Sequence, residues 1–174
     1  MENKTEENII HWLSEAYQLA TKSPDPSTQN GAIIVSALWR EQKPQGTFVY
    51  GRGYNTFPPK VKSSNERLTR PLKYSYIEHA ERSAIYDAAI FGKELRGTTM
   101  FVPWAACADC ARGIICSGIS ELVVHQPMLD HSPDHWKESI SNAFEMLDEA
   151  GVQIIRYEKE ILDRAKIRFN GHIW

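Results

Sequence analysis

The sequence predicts an α/β fold: a mixed sheet that opens on an antiparallel hairpin and carries helices on both faces. Three observations support this. Short apolar β-type runs recur at 32–35, 47–50, 98–102, 122–124 and 152–155. After residue 79 these runs alternate with stretches of helical apolar spacing, which implies parallel strands joined by helical crossovers. A chain of 174 residues has room for one core, so residues 1–174 are read as a single domain.

Each element has its own signal. Ile9, Leu13, Ala16, Tyr17 and Ala20 fall near one face of an opening helix, with Trp12 at its border. Ser23-Pro24-Asp25-Pro26-Ser27 stops that helix, because two close prolines cannot continue it. The runs 32–35 and 47–50 pair as a hairpin across a long polar loop holding Pro44 and Gly46. Residues 51–73 read as irregular, with Gly51, Gly53, Pro58 and Pro59 early and clustered charge later. A helix begins close to His79, packs through Ala80, Ala84, Ile85, Ala88 and Ala89, and exits between Gly92 and Gly97. A buried strand over 98–102, a helix over 107–117 and a strand over 122–124 follow. Ser132-Pro133-Asp134 starts another helix, with Ser as N-cap and Pro at the first position, running to about Glu149. After the strand at 152–155, a charged terminal helix is expected from about residue 158.

Composition narrows the function. Twenty basic residues against 22 acidic ones give a net charge of −2, which argues against a dedicated nucleic-acid binder. Three cysteines rule out a complete intrachain disulfide framework. The first twenty residues carry acids and lack an apolar core of the signal-peptide kind, and no stretch reaches the roughly 18 apolar residues of a membrane span. The expectation is a soluble cytoplasmic protein whose cysteines are ligands or core residues rather than cross-links.

The decisive residues are His79-Ala80-Glu81 and Cys107-Ala108-Asp109-Cys110. A Cys-x-x-Cys at a helix start puts both sulfurs on one face, and the helix N-terminus favours thiolates. A histidine from a second helix start supplies a third ligand. Three protein ligands leave the fourth tetrahedral position of one Zn²⁺ open for water, the arrangement of a catalytic site. Zinc lowers the pKa of that water from about 15.7 toward about 7. Glu81, two residues past the histidine, can sit beside the water and move protons. His-x-Glu or Cys-x-x-Cys alone is weak, but their ordered combination is the known signature of zinc deaminases.

On these residues the chain resembles the cytidine/deoxycytidylate deaminase superfamily, and most closely the deoxycytidylate (dCMP) deaminases. The resemblance runs from about Ser23 to Ile155. It includes Asp25-Pro26-Ser27-Thr28 before Gly31-Ala32-Ile33-Ile34-Val35, Gly53-Tyr54-Asn55 with Phe57-Pro58, Glu66-Arg67-Leu68, and Lys73-Tyr74. Ala111-Arg112-Gly113-Ile114-Ile115 and Ser117-Gly118-Ile119 continue it beyond the cysteines. Two positions depart from the family: Ala106 stands where proline usually precedes the first cysteine, and Thr56 where glycine is common. The resemblance implies a cytidine-deaminase-like three-layer α/β/α sandwich with a five-stranded mixed sheet. It also implies hydrolytic deamination of dCMP to dUMP, with zinc hydroxide attacking C4 and Glu81 shuttling protons.

The rest of the substrate site is less local. By resemblance Asn55 and Ala80 contact the substrate; the plainer reading of Asn55 is that it caps a turn. Ser27 and Thr28 either bind phosphate or make local turn bonds. Lys60, Lys62, Arg67, Arg70 and Lys73 face only Glu66, so Arg67, Arg70 and Lys73 are candidates for a nucleotide's phosphates, a solvated loop being the plain alternative. In similar enzymes the Gly-Tyr-Asn region, here with Tyr54, takes dCTP or dTTP effectors, with Mg²⁺ accompanying a triphosphate, and the subunits assemble into homo-hexamers. Cys116 is read as core, His131 and His135 as a solvated helix start, and Trp104 as either pocket wall or core. Two alternative functions remain: a deaminase of another cytosine nucleotide or of a polynucleotide, and a non-catalytic zinc-binding module.

Overall fold

The structure is a computed structural model that describes residues 2–40, 44–104 and 106–174. Residues 41–43 of the expected hairpin loop, and Ala105, lie outside the described residues. Helix α1 (Glu2–Ala20) leads into strands β1 (Gly31–Val35) and β2 (Val49–Tyr54), then the short helix α2 (Lys73–Tyr76) and helix α3 (Ala80–Ile90). Strand β3 (Thr99–Val102), helix α4 (Ala108–Ser117) and strand β4 (Glu121–His125) follow. Helices α5 (Gln126–Asp130) and α6 (Asp134–Glu149) and strand β5 (Gln153–Tyr157) complete the main fold, and β6 (Arg168–Phe169) and β7 (His172–Ile173) form a terminal hairpin.

The five main strands lie in the order β2-β1-β3-β4-β5. β1 is antiparallel to both β2 and β3, whereas β3, β4 and β5 are mutually parallel. The sheet is therefore mixed, and it is antiparallel at the end where the sequence opens. Strand β1 is buried throughout and shows why the sheet needs two covers. Ile33 and Val35 join Phe101 and Val123 in a core with Leu13, Ala16 and Tyr17 of α1. Ala32 and Ile34 turn the other way, packing with Met100, Val102, Leu122 and Val124 against Ala84, Ala88, Cys110 and Ile114 of α3 and α4. Alternation along each strand thus supplies both faces. No described helix is long and apolar enough to cross a membrane.

A buried polar tie joins α1 to β4. Nε2 of His125 lies 3.0 Å from the Lys159 carbonyl, which can only accept, so Nε2 carries the proton and donates. Nδ1 therefore accepts from the Tyr17 hydroxyl at 2.6 Å.

Three expectations need correction. Strand β2 does not stop at residue 50 but runs on to Tyr54 through Gly51 and Gly53. A Cβ at Gly53 would lie 2.2 Å from the Ala80 carbonyl oxygen and 2.3 Å from the Ala84 nitrogen, so this glycine marks helix-to-strand contact, not a break. Cys116, expected in the core, is exposed. The charged helix expected from about residue 158 is absent, and the β6–β7 hairpin closes the chain in its place. Asn170 (φ +48°) and Gly171 (φ +85°) form its two-residue turn, the Asn-Gly pairing that tight hairpins favour. Ile161, Ile167 and Phe169 are buried in the α1-side core at a spacing no single helix face provides.

Candidate active site

Two helix starts converge on one point. His79 is the N-cap residue of α3 and Cys107 that of α4, both with extended backbone, and neither caps its own helix with its side chain. Each side chain is thus free to project from the helix end. The first amide of α4, at Ala108, donates instead to Ser139 Oγ on α6 at 3.1 Å. His79 Nδ1 lies 3.4 Å from Cys107 Sγ and 3.5 Å from Cys110 Sγ, and the two sulfurs are 3.5 Å apart.

That triangle can be tested against a metal. Tetrahedral Zn²⁺ with Zn–S near 2.3 Å and Zn–N near 2.05 Å requires S···S separations of about 3.8 Å and S···N separations of about 3.6 Å. The observed edges fall within a few tenths of an ångström of these, and the three atoms form the metal-compatible His/Cys cluster found among the described residues. The chemistry fits as well. Contact with Cys110, then with His79, holds the Cys107 thiol well below its ordinary range, while the same sulfur contact raises Cys110. Arg82, on the first turn of α3, donates from Nη1 to Cys110 Sγ at 3.5 Å and pairs with Glu78. It places positive charge beside a sulfur that would hold the metal. Bound there, zinc supplies Lewis acidity and lowers the pKa of a coordinated water.

Glu81 is only 2 % exposed and lines the same inner cavity as His79 and Cys107. Burial raises its pKa to about 7, against the opposing pull of His79. A carboxyl balanced near neutrality can take and return a proton at physiological pH, as a general acid–base must.

The profile of the cytidine and deoxycytidylate deaminase zinc-binding region matches residues 6–126. The chain belongs to the cytidine and deoxycytidylate deaminase family. It is 30% identical over 158 residues to an uncharacterized deaminase in the luxG 3′ region of Aliivibrio fischeri, spanning 88% of this chain and 99% of that one. It is 31% identical over 132 residues to the deoxycytidylate deaminase of Mus musculus, spanning 69% of this chain and 67% of the mouse protein. Among solved structures, the apo dCMP deaminase of cyanophage S-TIM5 superposes with a TM-score of 0.63 at 16% identity, over 87% of this chain and 98% of that one. The five-stranded mixed sheet flanked by helices is thus the deaminase fold, and the His/Cys/Cys cluster lies within the family's zinc-binding region.

Other residues named from the sequence surround this cluster in different roles. Asn55 is buried, and its carboxamide is used by the protein: Nδ2 donates to the Thr28 carbonyl at 2.9 Å and Oδ1 accepts from the Ala80 amide at 3.0 Å. It pins the 25–29 loop to the start of α3. Asp25 Oδ1 accepts from the Ser27 amide, the Ser27 hydroxyl and the Thr28 amide, so these residues form a local turn. Lys73 is almost buried and donates to Asp25 Oδ2 at 2.7 Å and Ser27 Oγ at 2.6 Å. Arg67 donates to the Lys62 carbonyl and covers the Tyr76 ring. Arg70 is exposed at the outer cavity, which Asp25, Thr28, Lys73, Tyr74, Trp104 and Trp136 also line. Tyr54, half-buried at the end of β2, lines neither the inner nor the outer cavity.

Sequence reasoning missed several contributors. Trp136 on α6 lines both cavities, its ring centroid 5.8 Å from those of His79 and Trp104. Trp104, expected as either pocket wall or core, is both, and its Nε1 donates to Ser132 Oγ at 2.9 Å, so that serine anchors the wall rather than capping α6. Arg82 carried a faint signal, standing three residues past the ligand histidine on the same helix. The terminal hairpin fixes the 25–29 loop, with Gly171 N–H donating to the Ser27 carbonyl at 2.7 Å and Gln29 N–H to the Arg168 carbonyl at 2.8 Å.

Proposed function

We propose that this chain deaminates dCMP to dUMP, with water replacing the exocyclic amino group at C4 and ammonia leaving. The observation that carries the reading is the pairing of two neighbouring cavities that share Asn55, His79, Trp104 and Trp136 as walls. The inner one is lined by Glu81, His79 and Cys107. The outer one is bordered by Arg70, which makes no ion pair among the described residues, and by Lys73. This division suits one base inside and one sugar-phosphate outside, with the Arg70 guanidinium meeting the phosphate. Lys73 is held by Asp25 and Ser27 and orders the wall.

Glu81 takes a proton from the attacking water and delivers it to ring N3; it then takes the proton of the new C4 hydroxyl and passes it to the amine, which leaves as ammonia while C4 becomes a carbonyl. His79, Cys107 and Cys110 would hold the zinc, which would supply the Lewis acidity. Trp104 and Trp136 shut out solvent and give the ring apolar faces to lie against. Relatives named deoxycytidylate deaminase support the choice of substrate, as does the chain's slight negative charge, which disfavours a polynucleotide track. The test is loss of cytosine absorbance on mixing the zinc-loaded protein with dCMP, CMP, dCTP, cytidine, a tRNA and single-stranded DNA, each with and without dCTP or dTTP as effector. Turnover of dCMP alone among the nucleotides supports the reading; preferential turnover of a polynucleotide or triphosphate overturns it.

A further inference from the structure

Asn30 stands just before β1, is 97 % buried (3 % exposed), and lines the inner cavity with Glu81, His79 and Cys107. Its carboxamide orientation follows from one contact: Nδ2 points at the Trp104 carbonyl oxygen at 3.4 Å, and the flipped amide would set two acceptors against each other. The orientation leaves Oδ1 buried without a hydrogen-bond partner. Buried carboxamide oxygens are rarely left so, because an unmet acceptor loses its water and gains nothing in return. Asn55, which lines the same cavity, has both ends of its amide engaged by the protein. Asn30 is therefore the neighbouring carboxamide with an oxygen still to be used.

We infer that Asn30 Oδ1 is a base-recognition atom that accepts a hydrogen bond from the exocyclic amino group of the substrate's pyrimidine. This rests on the proposed deamination of a cytosine nucleotide. Two arguments select the amino group. Asn30 does not line the outer cavity, where the sugar and phosphate belong, so a ribose hydroxyl is not its partner. The neutral cytosine ring carries one kind of hydrogen-bond donor, the C4 amino group, while its O2 and N3 only accept. Once that group has been exchanged for oxygen, a lone acceptor faces Oδ1. Asn30 thus distinguishes substrate from product, binding the amine and disfavouring the carbonyl that replaces it. Sites built around a buried polar partner discriminate strongly, because the wrong ligand leaves that partner unmet.

The test uses zinc-loaded protein in two backgrounds. In the Glu81→Gln background, where dCMP is not consumed, calorimetry gives dCMP and dUMP dissociation constants with and without Asn30→Leu, which has similar bulk and no acceptor. Asn30→Leu is expected to weaken dCMP binding about tenfold and to leave dUMP binding equal or tighter, closing the gap between them. In the active background, inhibition by dUMP should strengthen relative to KM for dCMP. Asn30→Asp, which keeps an acceptor at the same place, is expected to retain the preference and serves if the leucine variant is unstable. An unchanged dCMP-to-dUMP ratio in a folded, zinc-loaded Asn30→Leu protein would mean that Oδ1 meets a solvent molecule instead, and the inference falls. If unsubstituted protein neither binds nor deaminates dCMP, the substrate reading has failed independently of Asn30.

Discussion

Lys73→Met should cost this protein a large part of its stability while leaving the metal cluster intact. The ammonium and the Asp25 carboxylate lie 2.7 Å apart with side-chain exposures of 7 % and 3 %. At an effective dielectric near 20, the attraction across 2.7 Å is about 6 kcal/mol before either charge's desolvation is counted. The methionine keeps most of the aliphatic volume, so the loss is electrostatic and not a cavity. What remains is a buried carboxylate without its cation, a situation that costs about 3–5 kcal/mol. Asp25 keeps the bonds from Ser27 and Thr28. These put the expectation near the lower end, about 3 kcal/mol. At about 2–4 °C per kcal/mol for a chain this long, the melting temperature should fall by roughly 6–12 °C. Urea denaturation followed by fluorescence measures the free energy, and elemental analysis checks that zinc stays at one per chain. Asn at position 25 in the double variant Asp25→Asn/Lys73→Met removes the stranded charge and should recover part of the loss. A loss under about 1 kcal/mol, or a double variant no better than the single one, would refute the reasoning.

Glu81→Gln should retain zinc but lose at least about 10²–10⁴ in turnover, read by absorbance beside metal content; an active variant removes Glu81 from the chemistry. Gly53→Ala pushes a methyl against backbone atoms at 2.2 and 2.3 Å, so it should destabilise by about 3 kcal/mol and weaken zinc retention, because the first turn of α3 has to move. The third concerns acidity. Burial lowers the pKa of His125, so the unfolded chain binds the proton more readily than the folded one. Stability should therefore fall as pH drops below about 6.5, and His125→Gln should flatten that slope in denaturation curves between pH 5.5 and 7.5.

The convergence of His79, Cys107 and Cys110 was legible because each part of it is local. His79 and Glu81 share one helix start, Cys107 and Cys110 another, and the spacing alone fixes which side chains share a face. The order of strands was legible for a similar reason, since helical crossovers leave few topologies. Asn30 was not legible, because nothing within ten residues says that its oxygen will lack a donor; that depends on the Trp104 carbonyl, 74 positions later. Lys73 was misread in kind. From the sequence it belongs to a basic cluster facing a ligand, but the fold buries it against Asp25, 48 positions earlier, and leaves Arg70 at the rim. Gly51 and Gly53 looked like breaks because their missing side chains are explained only by α3 lying against them. The terminal segment shows the opposite balance: Asn170-Gly171 is a local turn signal, and the expected charged helix takes no account of it.

The hairpin's half of the latch to the 25–29 loop is written in main-chain atoms, whereas the loop's half also uses the side chains of Thr28 and Gln29. On the hairpin side the contacts come from the amides of Arg168, Asn170 and Gly171 and the carbonyl of Arg168, with no side chain taking part. The loop that shapes the outer cavity therefore reads the hairpin's path and not its letters. Arg168 and His172 are free to drift under selection for unrelated surface properties, while the two-residue turn between the strands keeps the geometry that the distant cavity inherits.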